Sequence, residues 1–194
     1  MRELFLNTQT TGLDPQSGHR VIEIGIVEMI DKQVSGRHFH SYLKPDRAID
    51  PMAEAVHGIN AEFLADKPVF ADIADEFLDF VHGASVMIHN APFDTSFLNA
   101  ELKRLNKPPL DEHCTSIKDT LQIARERFPG KPNNLDALCA RLQINNVKRN
   151  LNDTLLDASL LAQIWLRLEN KKRVWPVWLE HFFLKIKQRF AKTA

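Results

Sequence analysis

A chain of 194 residues, 44% of them hydrophobic, suffices for one domain with a buried core, and a 26% charged fraction is ordinary for a soluble protein. The formal charge is zero but uneven: residues 171–194 hold seven Lys or Arg against Glu180 alone, a local +6, which leaves −6 on the remainder and suits different partners for the two parts. Cys114 and Cys139 fit no metal or redox spacing, no apolar stretch is long enough to span a membrane, and the first residues read as a strand rather than a secretory signal, so a reducing, cytoplasmic setting is expected.

The first element is a short apolar strand at Leu4–Leu6, running through Asn7-Thr8-Gln9-Thr10-Thr11 into a turn at Gly12. Val21–Ile30 and Val34–Leu43 read as two more strands. Asp31-Lys32 and Ser35-Gly36 supply turn chemistry nearby, which predicts an antiparallel meander on which His38 and His40 decorate a strand. Pro45 and Pro51 punctuate a loop. Ile73, Ala74, Phe77, Leu78 and Val81 recur at helical spacing and predict a helix over 70–81. Ser85–His89 reads as a buried strand, Asp94–Leu105 as a helix, and Ile117–Phe128 and Leu135–Leu142 as two further helices parted by Pro129-Gly130-Lys131-Pro132. The second of these puts Cys139 in the core. Thr154–Leu168 is strongly helical. Strands, helices, one strand and more helices make an α/β protein with a mixed sheet. A boundary near Glu169–Arg173 divides a body of residues 1–169 from a basic tail of residues 170–194. In that tail Pro176 opens a helix, and Leu179, Phe182, Phe183, Ile186 and Phe190 form an apolar stripe.

Three segments carry the chemistry: Asn7-Thr8-Gln9-Thr10-Thr11-Gly12, His89-Asn90-Ala91-Pro92-Phe93-Asp94 and Asn152-Asp153-Thr154-Leu155-Leu156-Asp157. In order and spacing they resemble the three exonuclease motifs of the DEDDh family of 3′–5′ exonucleases. Val56-His57-Gly58-Ile59, Tyr42-Leu43-Lys44-Pro45-Asp46, Phe128-Pro129-Gly130-Lys131 and Asn134–Arg141 extend the likeness to the proofreading, epsilon-type branch of that family, across residues 2–168. The resemblance implies a ribonuclease H-like mixed sheet flanked by helices, Mg²⁺ or Mn²⁺ as cofactor, a single-stranded DNA 3′ end as substrate, and a place in DNA replication beside a polymerase catalytic subunit. By the same resemblance the metal carboxylates fall at positions 7, 9, 94 and 157 and the general base at 152. Thr8, Thr10, Thr11, His57, His89, Asn90 and Phe93 would seat the terminal nucleotide. No clamp-binding peptide stands out beyond the body.

This sequence departs from the family at three of those five positions. Asn7, Gln9 and Asn152 stand where the family has Asp, Glu and His, and only Asp94 and Asp157 remain. Two-metal phosphodiester cleavage needs carboxylates that hold the ions about 3.5–4 Å apart. Alternate strand residues point the same way, so positions 7 and 9 would face one cleft, now without charge. An amide at 152 takes no proton near neutral pH. These departures predict weak or absent metal binding and a silenced relative, a pseudoenzyme that keeps a nucleic-acid cleft and docks a polymerase through its tail. An active enzyme with substitute ligands at Glu23, Asp153 or Asp14 is the first alternative, and a membrane-surface or scaffold protein using the basic tail is the second. Without the resemblance, Asn7 and Gln9 would read as turn-forming polar residues, His57 and His89 as satisfied histidines, and Lys103, Arg104 and Lys107 as a solvated helix face.

Overall fold

The structure, a computed structural model, describes residues 1–146 and 153–169. Arg2–Thr10 (β1), Val21–Ile30 (β2) and Gln33–Tyr42 (β3) form the expected antiparallel meander. Asp31 and Lys32 close the β2–β3 hairpin with φ of 50° and 65°. That conformation carries the right-handed twist of the flanking strands, and a polar two-residue turn supplies it. β1 continues well past Leu6 because its outer residues find partners along the whole of β2, from Arg2↔Ile30 to Thr10↔Val21.

Two elements depart from the sequence expectation. Pro51–His57 (α1) is a helix, not loop: Asp50 stands at its N-cap, Pro51 fits its first turn, and Gly58 at φ 73° ends it. Ser116–Asp119 (β5) is a strand, where a helix from Ile117 was expected. The helix that follows, Thr120–Arg127 (α4), starts only after Asp119, whose carboxylate accepts from the N–H groups of Leu121 and Gln122. Phe70–Val81 (α2), Leu135–Leu142 (α5) and Thr154–Glu169 (α6) fall where expected, with α6 one residue longer. Ala91–Arg104 (α3) begins three residues earlier than expected, after the short strand Ser85–Ile88 (β4).

The sheet order is β3-β2-β1-β4-β5, with β4 parallel to β1 and β5 parallel to β4. Strand alternation sorts side chains onto its two faces. Leu4 and Leu6 pack with Ile24, Ile26, Phe77, Phe97 and Leu98 on the face covered by α2 and α3. Phe5 packs with Val27, Met29, Leu138, Cys139, Leu161 and Trp165 on the face covered by α5 and α6. Most of α6 is buried, as its nearly continuous apolar sequence requires. The ribonuclease H-like layout expected from the resemblance is therefore present: a mixed five-stranded sheet between helices. The tail of residues 170–194 and Asn152 lie outside the described residues.

Candidate active site

Beyond Leu6, β1 outruns β4, whose pairing stops at Leu6↔Ile88. The antiparallel half of the sheet and its parallel half meet here, at the carboxyl ends of β1 and β4, and such a switch in strand order is what makes a crevice beside an open sheet. That is the place where open α/β sheets bind ligands. Asn7 and Gln9 are partly exposed in this crevice, while Thr8 and Thr10 between and after them are buried. Asn7 and Gln9 share the face covered by α6, as residues two apart on a strand must.

Both retained carboxylates are the fourth residues of helices whose N-termini abut the end of β1. Asp94 of α3 is 3% exposed, and its Oδ1 accepts from the Thr8 N–H at 3.0 Å and from the Thr8 hydroxyl at 2.8 Å. Since β4 has already ended, that N–H is free for a side chain. Burial pushes the Asp94 pKa up to about 7 against the pull of the Thr8 donors, and the charge of Asp119 pushes the same way. Asp157 of α6, also 3% exposed, accepts from Asn7 Nδ2 at 3.3 Å. The seat of α6 depends on Gly25, which pairs with Asn7 across β1 and β2. A Cβ at Gly25 would lie 2.5 Å from Thr154 Oγ1 and 2.6 Å from the Leu155 nitrogen. Only glycine lets the start of α6 sit on the sheet so closely, and that contact sets Asp157 opposite Asn7.

The neighbouring residues are held by a dense polar network. Thr10 donates through its hydroxyl to the Gly12 carbonyl at 2.6 Å. Thr11 Oγ1 accepts from the Arg20 N–H at 2.9 Å and lies 3.0 Å from His19 Nδ1. The three threonine hydroxyls are thus engaged within the protein. Cβ-less Gly12 lets the His19 ring stack close over the turn. His57 closes α1 beside Thr10 and is 4% exposed; its Nδ1 accepts from the Ile59 N–H at 3.0 Å, and burial lowers its pKa, partly offset by the Thr10 backbone and Glu54. His89 bridges the ends of three elements: its Nε2 donates to the Asn133 carbonyl at 2.8 Å, and its Nδ1 lies 3.0 Å from Thr120 Oγ1. Asn90 follows in the left-handed region at φ 78° and donates its N–H to Asp119 at 3.1 Å. The Phe93 ring lies 5.0 Å from that of Phe97, tilted by 46°.

The three substitute ligands weighed from the sequence have other partners. Asp14 caps a short 3₁₀ turn through the Gln16 N–H and the Ser17 hydroxyl. Asp153 caps α6 through the N–H groups of Leu155 and Leu156. Glu23 pairs with Gln9 across the strands but is buried and lies 2.8 Å from His40 Nε2. His40 lies on β3 as expected and is partly buried there, paired with Glu23. Among the described residues, no group of three or more His, Cys, Asp or Glu side chains is arranged to hold a metal ion. The sequence brought together positions 7, 9, 94 and 157. It did not single out Gly25, Asp119, Thr120 or Asn133. The Gly25 signal was present as a glycine inside a strand rich in Val and Ile, a mark of close backbone approach.

The family pattern described as Exonuclease matches residues 5–161. The chain is 50% identical over 173 residues to the DNA polymerase III subunit epsilon of Salmonella typhimurium, covering 86% of this chain and 71% of that protein. The Escherichia coli K12 protein of the same name is 49% identical over the same coverage. That of Rickettsia felis is 48% identical over 87% of this chain and 74% of its own length. Among solved structures, exonuclease X in complex with 5′ overhanging duplex DNA superposes with a TM-score of 0.68 at 24% identity, over 88% of this chain and 92% of that one. The nuclease domain of 3′hExo, a DEDDh family member bound to rAMP, superposes with a TM-score of 0.69 at 16% identity, over 87% and 91%. At these identities the structural likeness speaks for the fold.

Proposed function

This chain belongs to the exonuclease family, with the epsilon subunits of DNA polymerase III among its similar relatives, and from that premise we propose that it is a silenced 3′–5′ proofreading exonuclease. In this proposal it keeps a cleft for a single-stranded DNA 3′ end and a role beside a polymerase. The observation that carries the proposal is the pairing of Asn7 with Asp157 at the end of β1. A neutral amide stands where the family has a carboxylate, in the crevice and facing a retained carboxylate. Gln9 repeats the exchange two residues on. Together these changes halve the four-carboxylate cage.

A unit charge opposite another at 4 Å is worth about 4 kcal/mol at an effective dielectric of 20, so a cage short of two charges holds divalent ions weakly. Asn152 adds the loss of a general base, which typically costs about 10²–10⁴ in rate. The Asn7 and Thr8 donors around the two remaining carboxylates do not fit a two-ion site. Hydrogen bonds at Asp14 and Asp153 and the Glu23–His40 pair count against recruitment of replacement ligands. Among the described residues no helix is long and apolar enough to cross a membrane. Docking of a polymerase by residues 170–194 belongs to the same proposal and rests on their charge and apolar stripe.

The test is a nuclease assay on a mispaired 3′ end, with the chain beside its triple variant Asn7→Asp, Gln9→Glu, Asn152→His. The expected outcome is negligible turnover by the unaltered chain in Mg²⁺ or Mn²⁺ and at least about 10²-fold more by the triple variant, the base alone being worth that much. Turnover of the two within about tenfold would sink the proposal.

A further inference from the structure

We infer that the Asn7 amide acts as a built-in hydrogen-bond partner for Asp157, filling with an N–H donor the place a divalent cation would take, so that the cleft is ordered without metal. The inference rests on reading position 7 as a vacated carboxylate, and it adds what now does the work there. Asn7 Nδ2 donates to Asp157 Oδ2 at 3.3 Å. Asp157 is almost fully buried, and a buried carboxylate is costly unless something positive or hydrogen-bonding faces it. In a metal-loaded cage that partner would be the ion.

Neither group is free to withdraw. Asn7 lies within continuous β1–β2 pairing, opposite Gly25. The backbone at Thr154 and Leu155 rests against Gly25 with no room for a methyl group. The next residue of the same strand treats the other retained carboxylate likewise, since Thr8 gives Asp94 both its N–H and its hydroxyl. One strand thus supplies protein donors to both carboxylates. A cation approaching Asp157 meets the positive end of the amide dipole, whereas Mg²⁺ requires oxygen ligands at about 2.0–2.1 Å.

The alternative is an amide turned to present its oxygen, which would make Asn7 a neutral ligand. The two arrangements predict opposite effects of removing it. Mn²⁺ binding is followed by the electron paramagnetic resonance of free Mn²⁺ for the intact chain, Asn7→Ala and Asn7→Asp. With the amide as donor, Asn7→Ala binds Mn²⁺ on the order of tenfold more tightly than the unaltered chain, the strength of a hydrogen bond to a charged group being the barrier removed. Asn7→Asp binds tighter still. Tighter binding by the unaltered chain than by Asn7→Ala overturns the inference.

Should Asn7→Ala fail to fold, the side-chain amide protons of Asn7 in the unaltered chain give the second readout by NMR. Insensitivity to Mn²⁺ at concentrations that saturate Asn7→Asp supports the donor, and selective broadening at low Mn²⁺ overturns it. Exonuclease turnover by the unaltered chain would strike the reading of a silenced site. Mn²⁺ binding that is lost in Asn7→Ala, without turnover, strikes only the present inference.

Discussion

Glu28 shows how single residues stabilise this fold away from the cleft. Its side chain is fully buried on β2, where Oε1 accepts from Arg2 Nε at 2.7 Å and Oε2 from the Ser35 hydroxyl at 2.6 Å, with Arg37 3.3 Å from Oε1. Burial alone would raise its pKa, but the Ser35 hydroxyl and the two guanidinium groups outweigh it and hold the carboxyl below its ordinary 4.5. A folded pKa below the unfolded one means that protonation favours the unfolded chain. The stability Glu28 contributes is therefore complete above about pH 4.5 and is lost as pH falls through its lowered value. Glu28→Gln should lower stability at pH 7 by about 1–3 kcal/mol. It should also flatten the loss of stability below pH 4.5, as read by urea unfolding across pH. An unchanged acid slope would count against this assignment. Positions 7, 9, 94 and 157 were singled out through the resemblance of three separate segments to the family's motifs, and the structure sets Asn7 beside Asp157 and Thr8 beside Asp94. The partners of His89 were not legible in the sequence: Thr120 and Asn133 come from segments 31 and 44 residues away.

At the scale of elements, the sequence spoke clearly where a pattern was long. β2, α2 and α6, with ten, twelve and sixteen residues, are long enough to average out local exceptions. It failed at α1 and β5, which have seven and four residues. Neither is long enough for periodicity to register. β5 reads Ser-Ile-Lys-Asp and becomes a strand only because β4 lies beside it from Ser85↔Ser116 to Ile88↔Asp119, a pairing no local window contains. The contact of α6 with β2 is likewise invisible locally, and it yields a sharp test. Gly25→Ala would force a Cβ to within 2.6 Å of the Leu155 nitrogen, and the obstacle is backbone that cannot rotate aside. The expected cost is about 1–3 kcal/mol, typical of overpacking in a tight core, seen as a lowered melting midpoint. Placed on the triple variant, the same change should reduce the recovered nuclease activity, because the shift carries Asp157 away from β1. Full activity in that quadruple variant would show that the Gly25 contact does not position Asp157.

For the whole molecule, the division into body and tail makes its own prediction. The described body has its own core on both faces of the sheet. Removing residues 170–194 should leave the melting midpoint nearly unchanged while abolishing association with a polymerase subunit, measured by calorimetry and by binding to an immobilised partner. The +6 charge of residues 171–194 should make that association weaken with added salt. Unfolding of the truncated chain would show instead that the apolar stripe belongs to the core.

The seam between the two halves of the sheet has a kinetic consequence. β1, β2 and β3 are joined by short connections and can zip together from local turns. The β1–β4 pairing brings Glu3 to Ser85 across 82 intervening steps of chain, a closure whose entropy must be met before any contact rewards it. The crevice exists only after that closure, so the meander can form without it while the reverse cannot happen. Asn7 sits on the early meander, opposite Gly25, but its contact with Asp157 forms only once α6 has docked. Mutational change at position 7 that acts through this contact is therefore expected to alter the unfolding rate more than the folding rate. A chain can lose its chemistry at such a place and still reach its native shape as quickly as before.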